Sequence, residues 1–189
     1  MNLAALADIR MGYPFRSRIE HDPRGDVAVI QMKDMEEVDL VRADNAVRVM
    51  LPDVKPHHLL RAGDLLFRSR GLNNGAVQVG DGLGTAVLAA PMLLIRARRI
   101  LPAYLCWYLN TPATQAHLAA LAEGTSVRMI SAEALKVLDI PLPPKATQER
   151  IAHAAVLAER EQLLLARVAE LRRQVAQHLL LNSARRTKS

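Results

Sequence analysis

From Gln148 to Leu181 the sequence runs for 34 residues without a glycine or a proline. Nothing in that stretch breaks a helix, so it is expected to form one, roughly 50 Å long at 1.5 Å per residue. Immediately before it stands Ile140-Pro141-Leu142-Pro143-Pro144. That segment cannot be helical, because proline lacks an amide donor and clashes with the preceding turn; it favours stiff, extended chain. Thr147 is the expected N-cap, with Glu149 in the first turn near the positive end of the helix dipole. These features divide the chain into a globular part at 1–140, a Pro-rich linker at 141–147, a helix at 148–182 and a basic tail at 183–189.

The pattern within the helix states its purpose. Ala154, Leu157, Glu161, Leu164, Val168, Leu171, Val175 and His178 follow alternating spacings of three and four, and Leu165 and Leu179 widen the stripe. This is the seam of a coiled-coil pair, with Arg160, Arg167, Arg172 and Arg173 outside it. Leu157, Leu164, Val168, Leu171 and Val175 are the expected dimerisation residues. The alternative is a helix folded back on its own domain, but a stripe this long behind a stiff linker favours a partner helix.

The first half of the globular part reads as short strands and turns. Asp26–Met32 follows the turn signal Asp22-Pro23-Arg24-Gly25, Ala46–Leu51 alternates until Pro52, and Arg61-Ala62-Gly63-Asp64 turns into Leu65-Leu66-Phe67. Gly75–Val79 is another short strand, and Thr85–Ile95 is a buried strand pair or a strand bent around Pro91. Gly80-Asp81-Gly82-Leu83-Gly84 lacks the spacing of a phosphate-binding fingerprint and leads into a β-rich run, so it is expected to be a hairpin turn. Helices follow: one from Pro102 through Leu109, one capped by Thr111 with Pro112 in its first turn and ending at Gly124, and one capped by Ser131 through Leu135. The fold class is α+β, one mixed domain plus a long C-terminal helix.

The formal net charge is +6. Residues 1–147 hold 17 Lys+Arg against 15 Asp+Glu, and residues 148–189 hold 8 against 4, so the excess is modest in the domain and larger in the helix and tail. An anionic partner fits this balance. Aromatics are 3% of the chain, too few for the ring platforms that bind single strands, which favours duplex DNA. The single Cys106 permits no internal disulfide and fits a reducing cytoplasm; within Tyr104-Leu105-Cys106-Trp107 it reads as a packed helix residue rather than a catalytic thiol. No secretory signal and no run of about 20 apolar residues is visible, which points to a cytoplasmic protein with no membrane contact. No catalytic constellation, cofactor loop or metal-ligand spacing emerges. His57-His58 has no Cys or third His nearby and reads as turn surface. Neither catalysis, a cofactor nor a metal is therefore expected.

The residues so assembled resemble the specificity subunit of type I restriction-modification systems. The resemblance rests on Ile140-Pro141-Leu142-Pro143-Pro144 with Gln148, Ile151 and Ala152 after it, and on Gly63-Asp64-Leu65-Leu66-Phe67. Pro102, Tyr104, Leu105, Asn110-Thr111-Pro112, Gln115 and Gly124 continue it, and Leu6-Ala7-Asp8-Ile9 with Gly12 opens it. It implies that residues 1–140 form a target recognition domain for double-stranded DNA. It also implies that methyl transfer and cleavage belong to separate modification and restriction subunits, to which this chain supplies address and docking surface. Family members carry two recognition domains and two long helices packed antiparallel. This sequence holds one of each and no internal repeat, so pairing of two copies as a homodimer is expected. A coiled-coil adaptor that never touches DNA is the alternative.

DNA recognition needs donors that reach phosphates and base edges. Phe67-Arg68-Ser69-Arg70-Gly71-Leu72-Asn73-Asn74 packs two Arg, two Asn and a Ser after a strand. Arg68, Ser69, Arg70, Asn73 and Asn74 are its candidate contacts. Lys33, after the first strand, and Thr125, Ser126 and Arg128, after a helix-ending glycine, are candidates for the same surface. Solvated loop polarity is the competing explanation for each.

Overall fold

The computed structural model describes residues 1–35, 40–41, 46–71, 74–124 and 128–186. It has two compact units, Met1–Glu149 and Arg150–Ser189. The first is a two-sheet α+β domain. One sheet has the order β1 (Ala7–Met11), β8 (Leu93–Ala97), β5 (Leu65–Phe67), β6 (Ala76–Val79), β3 (Leu40–Val41), and the other has the order β4 (Val47–Val49), β2 (Val27–Ile30), β7 (Ala86–Leu88).

Strand β2 explains how the sheets meet. All four of its residues are buried, and it pairs parallel with β7 (Val29 opposite Val87) and antiparallel with β4. A strand covered on both faces is apolar throughout rather than alternating. Its even-numbered residues, Ala28 and Ile30, join Leu66, Leu88, Met92 and Leu94 in the core between the two sheets. Its odd-numbered ones, Val27 and Val29, pack with Val87 and Ala89 under Tyr13, Phe15, Ile19 and Leu59 on the far side. The segment carrying Tyr13 is pulled close at Gly12, where a β-carbon would stand 2.6 Å from the Leu88 carbonyl oxygen.

The first sheet is closed at one edge by β1, whose Ala7 lies opposite Ala97. Helix α1 (Leu3–Leu6) leads into it. Helix α2 (Pro102–Asn110) packs on β6 and β8, α3 (Pro112–Leu121) packs on α2, and α4 (Ala132–Lys136) packs on β1. The caps agree with expectation: Thr111 accepts from the Thr114 amide, and Ser131 Oγ accepts from Ala134 N at 3.1 Å.

Several expectations need correction. The turn at Gly80–Gly84 does not close a hairpin: β6 and β7 lie in different sheets, so it carries the chain across between them. Thr85–Ile95 likewise divides between sheets, with β7 in one and β8 in the other and the cis Ala90–Pro91 peptide between them. The N-terminal strand β1 and the short β3 carried too little alternation to be anticipated.

The helix starts earlier than expected. α5 runs Lys145–Arg186, so Thr147 lies inside its first turn, donating its amide to Pro144 O at 2.8 Å, and is not the cap. The linker is also not a free hinge. Ile140 is fully buried, Tyr104 Oη donates to Pro141 O at 3.0 Å, and Gln148 both accepts from Leu101 N (2.9 Å) and donates to Pro143 O (2.8 Å). The first turn of α5, with its Lys145–Glu149 pair at 3.8 Å, belongs to the domain.

Candidate nucleic-acid interface

The loop after β5 is held by its own polar groups. Arg68 N donates to Gly75 O at 3.0 Å, extending the β5–β6 ladder. Ser69 Oγ donates to Pro91 O at 2.7 Å and Asn74 Nδ2 to Arg68 O at 3.0 Å. Gln115 Nε2 donates to Asn74 O at 2.9 Å. Ser69 and Asn74 are 1% and 6% exposed. Both were expected to touch DNA; both instead face inward and shape the loop. The correction has a simple cause, since a buried polar side chain keeps its place only when hydrogen-bonded.

What the inward pair leaves outside is basic. Arg68 is half-buried, Arg70 is exposed, and neither makes an ion pair with a described residue. Gly71 N donates to Arg128 O at 3.2 Å, Ile130 N donates to Ser69 O at 2.8 Å, and Arg70 bridges Met129 antiparallel. The exposed Arg128 precedes Met129, the bridge partner of Arg70. Asn73, Thr125 and Ser126 lie outside the described residues.

The Ser69–Pro91 bond ties this loop to a second basic group. Ala90, next to Pro91, forms one wall of a polar cleft of about 450 Å³ shared with Phe15, Ser17, Arg18, Gln31 and Lys33. Its walls are fixed by backbone bonds: Tyr13 N to Leu88 O (2.6 Å), Ala90 N to Tyr13 O (3.0 Å), and a reciprocal pair joining Gln31 N to Asp34 Oδ2 (2.8 Å) and Asp34 N to Gln31 O (3.0 Å). Lys33 is exposed at the cleft, where the sequence placed it near a DNA surface. Arg18 and Ser17 were not anticipated. Their only signal was the run Arg16-Ser17-Arg18 before the Asp22-Pro23 turn, and nothing in it showed that the chain would return to β2 beside Lys33.

At the start of β5, the end away from the loop, lies an ion pair that sequence reasoning also missed. The Asp64 carboxylate, 3% exposed, accepts from Arg96 Nε (2.7 Å), Arg96 Nη2 (2.6 Å) and Arg61 N (2.8 Å), and Arg96 Nη2 also donates to Leu59 O at 2.9 Å. Donation to the Asp64 carboxylate raises the Arg96 pKa above its ordinary value. Gly63, at φ +85°, makes the turn that places Asp64, a backbone region glycine enters without penalty. The pair fixes the start of β5 against β8, and the loop that leaves the other end of β5 carries Arg68 and Arg70. His57 and His58 stack at 4.3 Å in the turn expected of them, and His58 meets the Tyr13 ring edge-on at 5.2 Å. Among the described residues no group of three or more His, Cys, Asp or Glu could hold a metal ion.

In the second unit the expected dimerisation residues form an open apolar stripe. Leu157, Leu164, Val168, Leu171 and Val175 are all exposed, by 43% to 59%. Val168, Leu171, Val175 and Leu179 line a shallow apolar groove with Arg172 at its edge. No helix is long and apolar enough to cross a membrane among the described residues.

No protein-family model and no curated protein matches this sequence. Solved structures do. The HsdS subunit from Thermoanaerobacter tengcongensis is 19% identical, with a TM-score of 0.65, covering 88% of this chain and 38% of its own. A structure from work on complex assembly and conformational transition of a type I R-M system is 20% identical, with a TM-score of 0.67 and coverage of 88% and 39%. The S subunit of a type I restriction-modification system from M. genitalium is 16% identical, with a TM-score of 0.57 and coverage of 88% and 40%. The chain thus has the fold of type I restriction-modification S subunits. It holds a single domain-and-helix module and spans about two fifths of the length of the S subunits it matches.

Proposed function

We propose that this chain is the sequence-specific DNA-recognition subunit of a type I restriction-modification complex, non-catalytic itself and acting in the cytoplasm. The observation that carries this reading is the extent of the fold. The likeness covers 88% of the chain, more than the domain ending at Glu149 could supply alone, so both domain and helix take part. The basic tract of Arg68, Arg70 and Arg128 supports it, because exposed guanidinium groups pair with phosphates and with guanine edges. In this role the domain reads duplex DNA, a modification (methyltransferase) subunit docks on the chain, and a restriction subunit is a further partner.

The open stripe of the helix pairs with a second copy. Antiparallel pairing is isologous, so the dimer closes and sets two identical readers at opposite ends. The target is then an inverted repeat interrupted by unread bases, with half-sites about one DNA turn, roughly 34 Å, apart. Glu161 favours the antiparallel arrangement, because a parallel, in-register pair would set it against its own copy.

Co-expression with a candidate methyltransferase subunit, followed by sequencing of methylated sites in host DNA, tests the reading. A new, symmetric, interrupted motif is expected; an asymmetric motif breaks the homodimer, and no new motif with any candidate breaks the function. The second reading, a coiled-coil adaptor, draws on the same open stripe. It is separated by replacing Arg68 and Arg70 together with Ala. Recognition predicts either a salt slope lower by about one unit per lost phosphate contact or a relaxed base preference. An adaptor predicts no salt-sensitive duplex binding before or after the change.

A further inference from the structure

The cleft beside the recognition loop differs from the loop in chemistry and in shape. Its polar side chains are Ser17, Arg18, Gln31 and Lys33, all of which can donate hydrogen bonds, and among the described residues no carboxylate lines it. The carboxylate of Asp34, which follows Lys33, accepts from the Gln31 amide. The Gln31 side chain makes no hydrogen bond to a described residue, and Arg18 and Lys33 are exposed without a described ion-pair partner. The donors are mounted on rigid backbone: Gln31 and Lys33 follow the wholly buried β2, and Ala90 is bonded to Tyr13.

Shape decides what such donors hold. Base edges lie at the bottom of a groove and are read by side chains that protrude, such as Arg70. The sugar-phosphate backbone is a ridge, and a ridge seats in a concavity. A cleft of about 450 Å³ has room for a phosphodiester group with part of its sugar.

Building on the DNA-recognition reading above, we propose that this cleft is a phosphodiester seat, in which Arg18 and Lys33 hold one stretch of the duplex backbone with Ser17 and Gln31 as neutral donors. It sets the register of the duplex so that Arg68 and Arg70 meet base edges, and it carries affinity without sequence information. Its linkage to the loop is short, through the Ala90-Pro91 peptide and the Ser69–Pro91 hydrogen bond.

The test uses the full chain and a pool of randomised duplexes at several salt concentrations. Arg18→Ala with Lys33→Ala is expected to weaken binding about tenfold for every sequence alike, to lower the salt slope by about 1.8, and to leave the selected motif unchanged. The thermal midpoint reports whether the variant folds, and Arg18→Lys, which keeps the charge, should retain most of the slope. A changed motif with an unchanged slope overturns the proposal in favour of base reading, and unchanged affinity overturns it outright. A second arm titrates ATP and inorganic phosphate. Tight binding of either that duplex DNA does not displace would make this a small-anion site and overturn the proposal. If the unaltered chain shows no salt-sensitive duplex binding, the recognition function itself fails. Binding that survives the double substitution removes only the seat.

Discussion

The two units of this chain treat their surfaces in opposite ways. In the domain, Leu65, Leu66 and Phe67 are wholly buried, and no buried side-chain polar atom among the described residues lacks a partner. In the helix, Leu164 and Val175 are each 59% exposed and Leu180 is 71% exposed, while the polar groups pair locally, as Arg173 does with Glu170 at 2.9 Å. The domain satisfies itself and has its own core. The helix has the periodicity of a core without the other half of one. A contiguous apolar stripe of this size is the mark of a surface that another chain covers. On the proposed reading, one unit presents polar loops to DNA and the other pairs with a second chain.

The hardest way to break that contrast is to charge the seam. Leu164→Glu with Leu171→Glu should raise the dissociation constant of the pair by roughly a thousandfold or more, since each unpaired carboxylate would have to be buried. Light scattering should then move from near twice 20.8 kDa to near 20.8 kDa, with the thermal midpoint of the domain unchanged. An unaltered chain that is already monomeric at micromolar concentration would end the homodimer. A domain destabilised by the seam substitutions would show instead that the stripe packs on its own domain.

The domain's self-sufficiency is tested by removing Arg96. Arg96→Ala leaves the Asp64 carboxylate buried without its guanidinium and should cost about 3 kcal/mol of unfolding free energy in urea titration. Replacing both partners, with Asp64→Leu and Arg96→Met, should recover much of that loss, because a buried pair stabilises little against a well-packed apolar one. If the single substitution is tolerated, Asp64 is more open to water than its 3% exposure indicates.

A smaller effect locates the boundary between the units. Gln148 is 5% exposed and bridges Leu101 N and Pro143 O. Gln148→Ala orphans two part-buried backbone groups and should cost about 1 to 2 kcal/mol. By the same logic, truncation after Lys145 should give a less stable monomer than truncation after Glu149. Equal midpoints for the two truncations would return the linker to the free hinge that its prolines suggested.

What was legible in the sequence was local. Thr111 and Ser131 cap where their side chains and the following residues said they would. The Gly- and Pro-free run is one helix. What was not legible depends on distant pairing. Ala7 meets Ala97, Asp64 meets Arg96, and Arg18 lines the same cleft as Lys33. Ser69 and Asn74 misled because their type is that of a DNA contact while their burial is set by Pro91 and Arg68, whose positions no local pattern gives. Arg70 and Lys33 are exposed for the converse reason, that a guanidinium or ammonium without a partner stays in water. Gln148 was noted for its spacing, but its role as a clamp required knowing that Leu101 would arrive beside it.

The smallest expected effect probes the edge of the domain near the proposed DNA surface. His58 sits on the Tyr13 ring at 5.2 Å, with His57 stacked at 4.3 Å and Lys55 and Arg10 close by. Burial chiefly, and then these three positive or titratable neighbours, lower its pKa below the ordinary 6.5. Unfolding restores the ordinary value, so just below pH 6.5 the unfolded chain binds more protons than the folded one. Stability therefore rises with pH through that window, and the contribution of neutral His58 is lost as pH falls toward the folded-state pKa. The ring is largely open to water, so the slope is shallow. Thermal midpoints measured from about pH 5 to about pH 7 should decline slightly toward acid, and His58→Gln should flatten the decline. A decline that persists unchanged in His58→Gln would assign the acid sensitivity to other groups. One that becomes shallower in the presence of duplex DNA would instead show that protonation near Tyr13 strengthens a phosphate contact, and would place this edge within the footprint.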